Sequence, residues 1–355
     1  MTSRTTGRAI ARRSLVARAG LGLATAASGA IAAPAILAQQ PRAIRMGYVM
    51  GAGGAADKAA GDFARIVAER SKGALTVQNF PGGQLGGERD MVESVQLGSI
   101  QIGFFGSYLI GNIVPEWGQV LDTPYLIRSQ DHFRKIVDGP LAKPMYDALL
   151  QRKGLRHVAW CNRGPRYLTT NRAVTTPADL RGMKLRVPEL ETYVAAWRSL
   201  GAVVTPMALP EVFLALKQGT IDGQENPLEL IFTNSFFEAQ KFVNLTGHIR
   251  SGYEVVVSER WFSGLPADQK TIVMEALVEM CRLEDKYQAE DESVLEQKLK
   301  AGGMTFHPVR LETFQSALAD LYASLGERAL ADRHARYRGI LALGGTAPGA
   351  TGDDG

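Results

Sequence analysis

The chain has 355 residues, enough for two compact lobes of roughly 100–200 residues each, and 45% apolar with 21% charged residues is the balance of an ordinary soluble globular protein. Its formal charge of +4 invites a nucleic-acid or membrane-surface reading, yet five arginines (Arg4, Arg8, Arg12, Arg13, Arg18) and no acidic residue fall within residues 1–40. Without them 35 basic residues face 36 acidic ones, a net of −1, and no basic tract remains to track phosphates; nucleic acid is excluded as a partner.

Those first forty residues read as an export signal. Arg12 and Arg13 precede an uncharged run of small residues at 19–33, and small residues recur at 33–38. A basic start, a mild apolar stretch and a small-residue cut site define a secretory signal. Only four larger apolar residues fall between Val16 and Ile31, too few for a permanent membrane helix of about 20 strongly apolar residues. The paired arginines resemble a twin-arginine signal, although Ala11 stands where Ser or Thr is usual. Residues 1–40 are therefore expected to be a signal peptide and the mature protein to be periplasmic.

From residue 43 strands and helices alternate. Strands are predicted at 43–49, 75–80 and 100–105, with helices at 56–71 and 87–98 between them. The rhythm resumes with strands at 155–161, 166–171, 183–188, 202–206, 242–245 and 252–258, and helices near 191–200 and 210–218. This alternation indicates a parallel α/β architecture. From 266 to 300 no glycine or later proline interrupts, and Ile272, Ala276, Met280, Leu283 and Tyr287 recur at helical spacing. A helix of that length spans roughly 50 Å at 1.5 Å per residue and either leaves the body or braces two lobes. A short strand at 304–307 and a helix at 311–325 close the fold, and residues 341–355 read as a disordered tail.

Few residues suggest chemistry. Cys161 and Cys281 are the only cysteines and lie in different segments; an oxidising compartment permits a disulfide, but the reading taken is two unpaired thiols, one in a strand and one in a buried helix. The histidines (His132, His157, His248, His307, His334) lack metal-ligand spacing, and no GxSxG, HExxH or CxxC occurs; an exported hydrolase would need such a group, so no enzyme, metal or cofactor is expected. The glycine-rich stretch at 80–89 lacks the Lys-Ser/Thr of a phosphate loop and reads as a turn into a helix.

Three segments carry more. In 182–188 (GMKLRVP) period-two alternation sets Lys184 and Arg186 on one face, and Pro188 ends the pairing, leaving Arg186 at the carboxyl end of its strand, where open α/β sheets bind ligands. A guanidinium suits a carboxylate there through two parallel bonds; an exposed strand-end arginine is the bland alternative. In 222–227 (DGQENP) Asn226 reads as a helix N-cap before Pro227. Arg166 lies in a glycine–proline stretch crossing between the proposed lobes.

Together the stretches 80–96 (FPGGQLGGERDMVESVQ), 164–187 (GPRYLTTNRAVTTPADLRGMKLRV) and 205–227 (TPMALPEVFLALKQGTIDGQENP) resemble the solute-binding proteins of TRAP transporters, the DctP-like family, from about residue 44 to 330. The resemblance implies a two-lobe periplasmic binding protein fold of α/β class (a Venus flytrap) with a long hinge-spanning helix. Lobe I would be 41–162 plus 251–290, lobe II 163–250 plus 291–340. It implies that Arg186 binds a ligand carboxylate, that Arg166 assists, and that Asn226 completes the clamp. The ligand would pass to small and large integral membrane subunits driven by an ion gradient, with no ATP site. Two positions depart from the family or vary with ligand. Leu209 stands where relatives often carry an aromatic residue. Glu189 follows Arg186 at a variable position, with Tyr193 one turn on; facing the cleft, Glu189 would disfavour a C4-dicarboxylate and favour a sugar acid, hydroxy acid or amino-acid-like ligand. Trp160 is either a wall for the ligand's apolar face or a core residue. A receptor presenting its ligand to a sensor kinase would carry the same site.

Overall fold

The computed structural model describes residues 41–318 except 116 and 118–120, together with 339, 340, 342 and 343. The signal expected over 1–40, the tail expected over 341–355 and the far half of the helix expected over 311–325 lie, wholly or in most part, outside the described residues. The described residues belong to one compact unit.

Two sheets organise that unit. The first contains β1 (Arg42–Tyr48), β2 (Leu75–Phe80), β3 (Ile102–Gly106), β4 (Leu155–Pro165) and β10 (Arg250–Ser258) in the order β2-β1-β3-β10-β4. The second contains β5 (Tyr167–Thr170), β6 (Lys184–Val187), β7 (Val203–Pro206), β8 (Gly223–Asn226), β9 (Phe242–Asn244) and β11 (Thr305–His307) in the order β11-β9-β5-β8-β6-β7. The sheets are mixed, which corrects the purely parallel architecture read from the alternation. β10 runs antiparallel between β3 and β4, and β5 antiparallel between β8 and β9. Both exceptions arise where the chain passes directly from one sheet to the other, so no crossover helix returns it to the same end. β4 runs into β5 with one residue, Arg166, between them; Gly164, with φ of +70°, takes the left-handed turn that a side chain would strain. Leu245–Ile249 lead back from β9 to β10, and the Arg166 N–H bonds to the Ile249 carbonyl where the two crossings run side by side (3.0 Å).

The helices follow from apolar spacing. α1 (Ala55–Arg70) buries Ala56, Ala59, Ala60, Phe63 and Val67 against the first sheet. α2 (Glu88–Leu97) ends at Gly98, in the left-handed conformation that closes a helix without steric cost. Among the described residues between β3 and β4 lie helices that the alternation had not marked: α3 (Tyr108–Ile113), α4 (Gln130–Val137) and α5 (Lys143–Lys153). The Ser129 side chain caps α4 by accepting from the His132 N–H (3.0 Å). α6 (Glu191–Ser199), α7 (Leu209–Lys217) and α8 (Leu228–Thr233) belong to the second sheet's connections, and α9 (Glu259–Phe262) is a single turn.

The long helix is α10 (Ala267–Ala301), 35 residues, roughly 50 Å. It packs on α1 and β4 of the first sheet and on α8 of the second, so it braces both lobes. Its buried stripe is Val273, Ala276, Leu277, Met280, Cys281, Glu284 and Gln288, while Ile272, Leu283 and Tyr287 lie half-buried at the stripe's edge. A further helix, α11, is described over Leu311–Ala317.

Cys161 of β4 and Cys281 of α10 form a disulfide across 120 residues of sequence, with Cα atoms 4.7 Å apart. This overturns the expectation of two unpaired thiols: the strand and the buried face of the helix meet, and sequence separation was no guide to that. Joining two distant segments restricts the unfolded chain, so replacing both cysteines by Ser should cost about 2–5 kcal/mol. Urea unfolding of the oxidised protein and of the double variant measures the difference. Equal midpoints would show that the bond adds no stability.

Candidate ligand-binding site

The site lies where strand ends of the second sheet meet loops of the first. β6 and β8 are parallel, with Arg186 beside Gln224, so both point their carboxyl ends the same way. β5 runs antiparallel to β8 and pairs Tyr167 with Asn226. Its preceding residue, Arg166, thus arrives at the same edge. Loops after strand ends gather there, as in other open α/β sheets.

Arg166 is fully buried and committed. Its Nε donates to Glu225 Oε2 (2.5 Å), and its Nη2 donates to Glu225 Oε1 (2.7 Å) and to the Glu225 carbonyl (2.7 Å). His248 completes the group. The Leu168 N–H donates to Thr246 Oγ1 (3.3 Å), the Thr246 hydroxyl serves His248 Nδ1 (2.9 Å), and His248 Nε2–H donates to Glu225 Oε2 (2.9 Å). Those roles belong to the neutral ring, which burial favours by lowering the imidazole's pKa. Burial alone would raise Glu225, but the charge and bonds of Arg166, with His248, outweigh it and hold the carboxylate at about 2. Nη1 of Arg166 has no hydrogen-bond partner.

Arg186 is committed differently. It is 2% exposed, and Nε and Nη2 both donate to the Met207 carbonyl (2.9 and 2.6 Å), while Nη1 has no partner. No carboxylate lies within ion-pair distance among the described residues. Burial therefore pulls the guanidinium down to about 10; Glu225 opposes the fall and Arg166 adds to it. A neutral carbonyl orients this cation and leaves its charge unanswered.

A cavity of about 480 Å³ opens onto Arg186, lined from the first sheet by Glu88, Tyr108 and Asn112 and from the second by Glu189 and Leu209. Cavities of roughly 300–1,000 Å³ suit small-molecule ligands. Asn112 Nδ2 donates across it to the Glu189 carbonyl (3.1 Å). Tyr193 is buried, its ring 5.4 Å from the Arg166 guanidinium carbon, and its hydroxyl donates to Asp122 Oδ1 (3.1 Å), which also accepts from the Ser107 hydroxyl (3.0 Å). Burial raises Asp122 to about 6. Glu88 accepts from the Gly106 N–H (2.8 Å), and burial raises its pKa against the pull of Arg163, Arg166 and Arg186.

Two expectations need correction. Asn226 is not a helix cap. It ends β8 and Pro227 is the N-cap of α8; the Asn226 amide donates to Gln224 Oε1 (2.5 Å). The pairing of this stretch with β5 makes it a strand, a long-range contact that helix-start signals do not register. Trp160 is a core residue: 1% exposed, edge-on to Phe133 with ring centres 5.3 Å apart, its Nε1–H donating to the Tyr146 hydroxyl (2.7 Å). It does not line the cavity. Arg186, Glu189 and Leu209 do; Glu189 is exposed at its rim. The sequence reading passed over Glu88, Asp122, Glu225 and His248. Glu225 sits inside the distinctive DGQENP run, a signal that was available; His248 had none.

A model of the bacterial extracellular solute-binding proteins, family 7 (DctP), matches residues 46–329. A solute-binding protein of Verminephrobacter eiseniae is 38% identical over 263 residues, covering 74% of this chain and 78% of that protein. The crystal structure of a TRAP periplasmic solute-binding protein from Roseobacter denitrificans with bound L-galactonate superposes with a TM-score of 0.80 at 32% identity, covering 85% of this chain and 99% of the other. One from Polaromonas bound to D-erythronate gives 0.79 at 32% identity over 85% and 98%.

The Arg166–Glu225 pair sets a pH dependence. Glu225→Gln strands the Arg166 charge and should cost about 3–5 kcal/mol at pH 7. A carboxylate held near 2 when folded, against 4.5 when free, contributes fully above about pH 4.5 and loses that contribution as pH falls toward 2. Denaturation midpoints of wild type and Glu225→Gln should therefore run parallel from pH 6 to 8 and converge between 4.5 and 2. Curves that stay parallel throughout would mean that Glu225 is not ionised in the folded protein.

Proposed function

The chain belongs to family 7 of the bacterial extracellular solute-binding proteins, the DctP family, and on that footing we propose that it captures a small polyhydroxy monocarboxylate in the periplasm and hands it to the membrane subunits of a TRAP transporter. One observation carries the ligand class. Arg186 is a buried cation, oriented by a backbone carbonyl, with a free donor and no carboxylate partner, at the wall of a cavity. A ligand carboxylate supplies both the missing charge and the missing acceptor. Arg166 is the lesser partner, because Glu225 occupies two of its nitrogens and only Nη1 remains.

The remaining walls favour one carboxylate over two. Glu88 is a buried carboxyl group in the wall, and Glu189 stands at the rim. A second ligand carboxylate would be repelled by them, whereas hydroxyls would find acceptors. The ligands in the Roseobacter and Polaromonas relatives, L-galactonate and D-erythronate, have this form: one acid group and a run of hydroxyls.

Arg186→Ala should lose the ligand carboxylate's buried partner, about 3–5 kcal/mol, or at 1.4 kcal/mol per decade some 10²–10³ in affinity or more. Arg186→Lys keeps the charge without the fork and should also bind poorly. Calorimetry with sugar acids, beside melting curves of the ligand-free variants, tests this. Binding by Arg186→Ala within about threefold of wild type would refute the clamp.

Export is tested separately. Replacing Arg12 and Arg13 together by Lys should hold the protein in the cytoplasm, because the twin-arginine route reads that pair. Cell fractionation reads the outcome, and unchanged export would assign the signal to the general route.

A further inference from the structure

Arg163 is a further buried guanidinium, beside the Gly106 corner whose N–H holds Glu88 of the cavity wall. It lies near the end of β4, three residues before Arg166, and is 2% exposed. Its Nε and Nη1 are buried with no hydrogen-bond partner among the described residues. Its guanidinium carbon sits 4.8 Å over the Tyr253 ring, a contact that orients the fork. A Cβ on Gly106 would fall 2.8 Å from Nη1, so the end of β3 is bare where this arginine passes.

The Gly106–Ser107 corner gathers complementary groups around that fork. The Gly106 N–H holds Glu88, and the Ser107 hydroxyl holds Asp122 by Oδ1. Asp122 Oδ2 is buried and has no partner among the described residues. Among charged neighbours Arg163 acts most strongly on both Glu88 and Asp122, ahead of Arg166. Glu88 lies within the electrostatic influence of both Arg163 and Arg186, and it lines the cavity onto which Arg186 opens. Unanswered donors beside an unanswered acceptor are the complement of a hydroxyl, which accepts and donates at once. A second carboxylate would satisfy Arg163 and offend Asp122 and Glu88.

We propose that Arg163, with Glu88 and Asp122, forms a polyol-reading end of the cleft, and that it selects acids whose hydroxyl chain is long enough to reach from Arg186. This rests on the function proposed above and goes further, because it assigns chain-length selectivity to one residue that no clamp requires.

The test uses the exported, full mature protein titrated with two probes: L-galactonate, with six carbons, and D-erythronate, with four. Arg163→Gln should weaken L-galactonate at least tenfold and D-erythronate by less than a third of that factor, lowering the ratio of the two affinities, with the ligand-free melting temperature nearly unchanged. A purely structural arginine would weaken both acids alike through a less stable fold. Should Arg163→Gln fail to fold, Arg163→Lys, which keeps the charge and loses the fork, reads the same ratio. Wild type that binds neither acid overturns the proposed function itself. Wild type that binds both, while the variant keeps both affinities within twofold or loses them in equal measure, overturns the role of Arg163 alone.

Discussion

A guanidinium and a carboxylate taken out of water must answer each other or unfold the region that holds them. Arg166 and Glu225 do so at the point where the chain leaves one sheet for the other. Because Arg166 is the single residue between β4 and β5, its side chain fixes the angle at which the second sheet begins. Glu225 sits on β8, the neighbour of both β5 and β6, so the same pair holds three strands in register around the cleft. His248, on the returning segment, binds the same carboxylate oxygen side. One ion pair therefore ties both crossings to the strand ends that present Arg186 and Asn226. The arrangement also explains the division of labour between the arginines: one is neutralised so that the frame is stable, and the other is left charged so that the cavity attracts an anion.

The mixed sheets have a related consequence. Had the strands all been parallel, both crossings would have entered through helices and loops. Instead β4 and β10 are antiparallel neighbours, and their continuations into the second sheet lie side by side, joined by the Arg166–Ile249 bond. Two short parallel straps permit bending about one axis and resist twisting, which suits lobes that open and close around a buried site.

Periodicity made most of the frame legible. Alternation located ten of the eleven described strands within a residue or a few, because each has apolar residues on at least one face; the uninterrupted stretch after Pro266 announced α10 for the same reason. The strand holding Gly223, Gln224, Glu225 and Asn226 was invisible to that logic. All four residues are buried, yet none is apolar, and their burial is made tolerable by partners some 20 to 60 residues away. The site divides the same way. Arg186 and Arg166 stood out through strand position and through resemblance to a family. Asp122, His248 and Arg163 acquire meaning only from what surrounds them. Trp160 and the cysteines misled for the converse reason: a large ring and a thiol look the same in sequence whether they face a ligand, a core or each other.

The Cys161–Cys281 bond lies only two residues before Arg163 and joins its strand to the brace. The front of α10 is thereby riveted to the first sheet, while Leu295 and Leu299, much further along the rod, are buried toward its other end. Any swing of the second sheet must then be taken up at the tail of the helix, by sliding against α8, and not at the rivet. Beyond the rivet the Tyr287–Asp62 hydrogen bond and the Lys58–Asp291 ion pair still hold the rod to α1, so only its last turns are left to follow the second sheet.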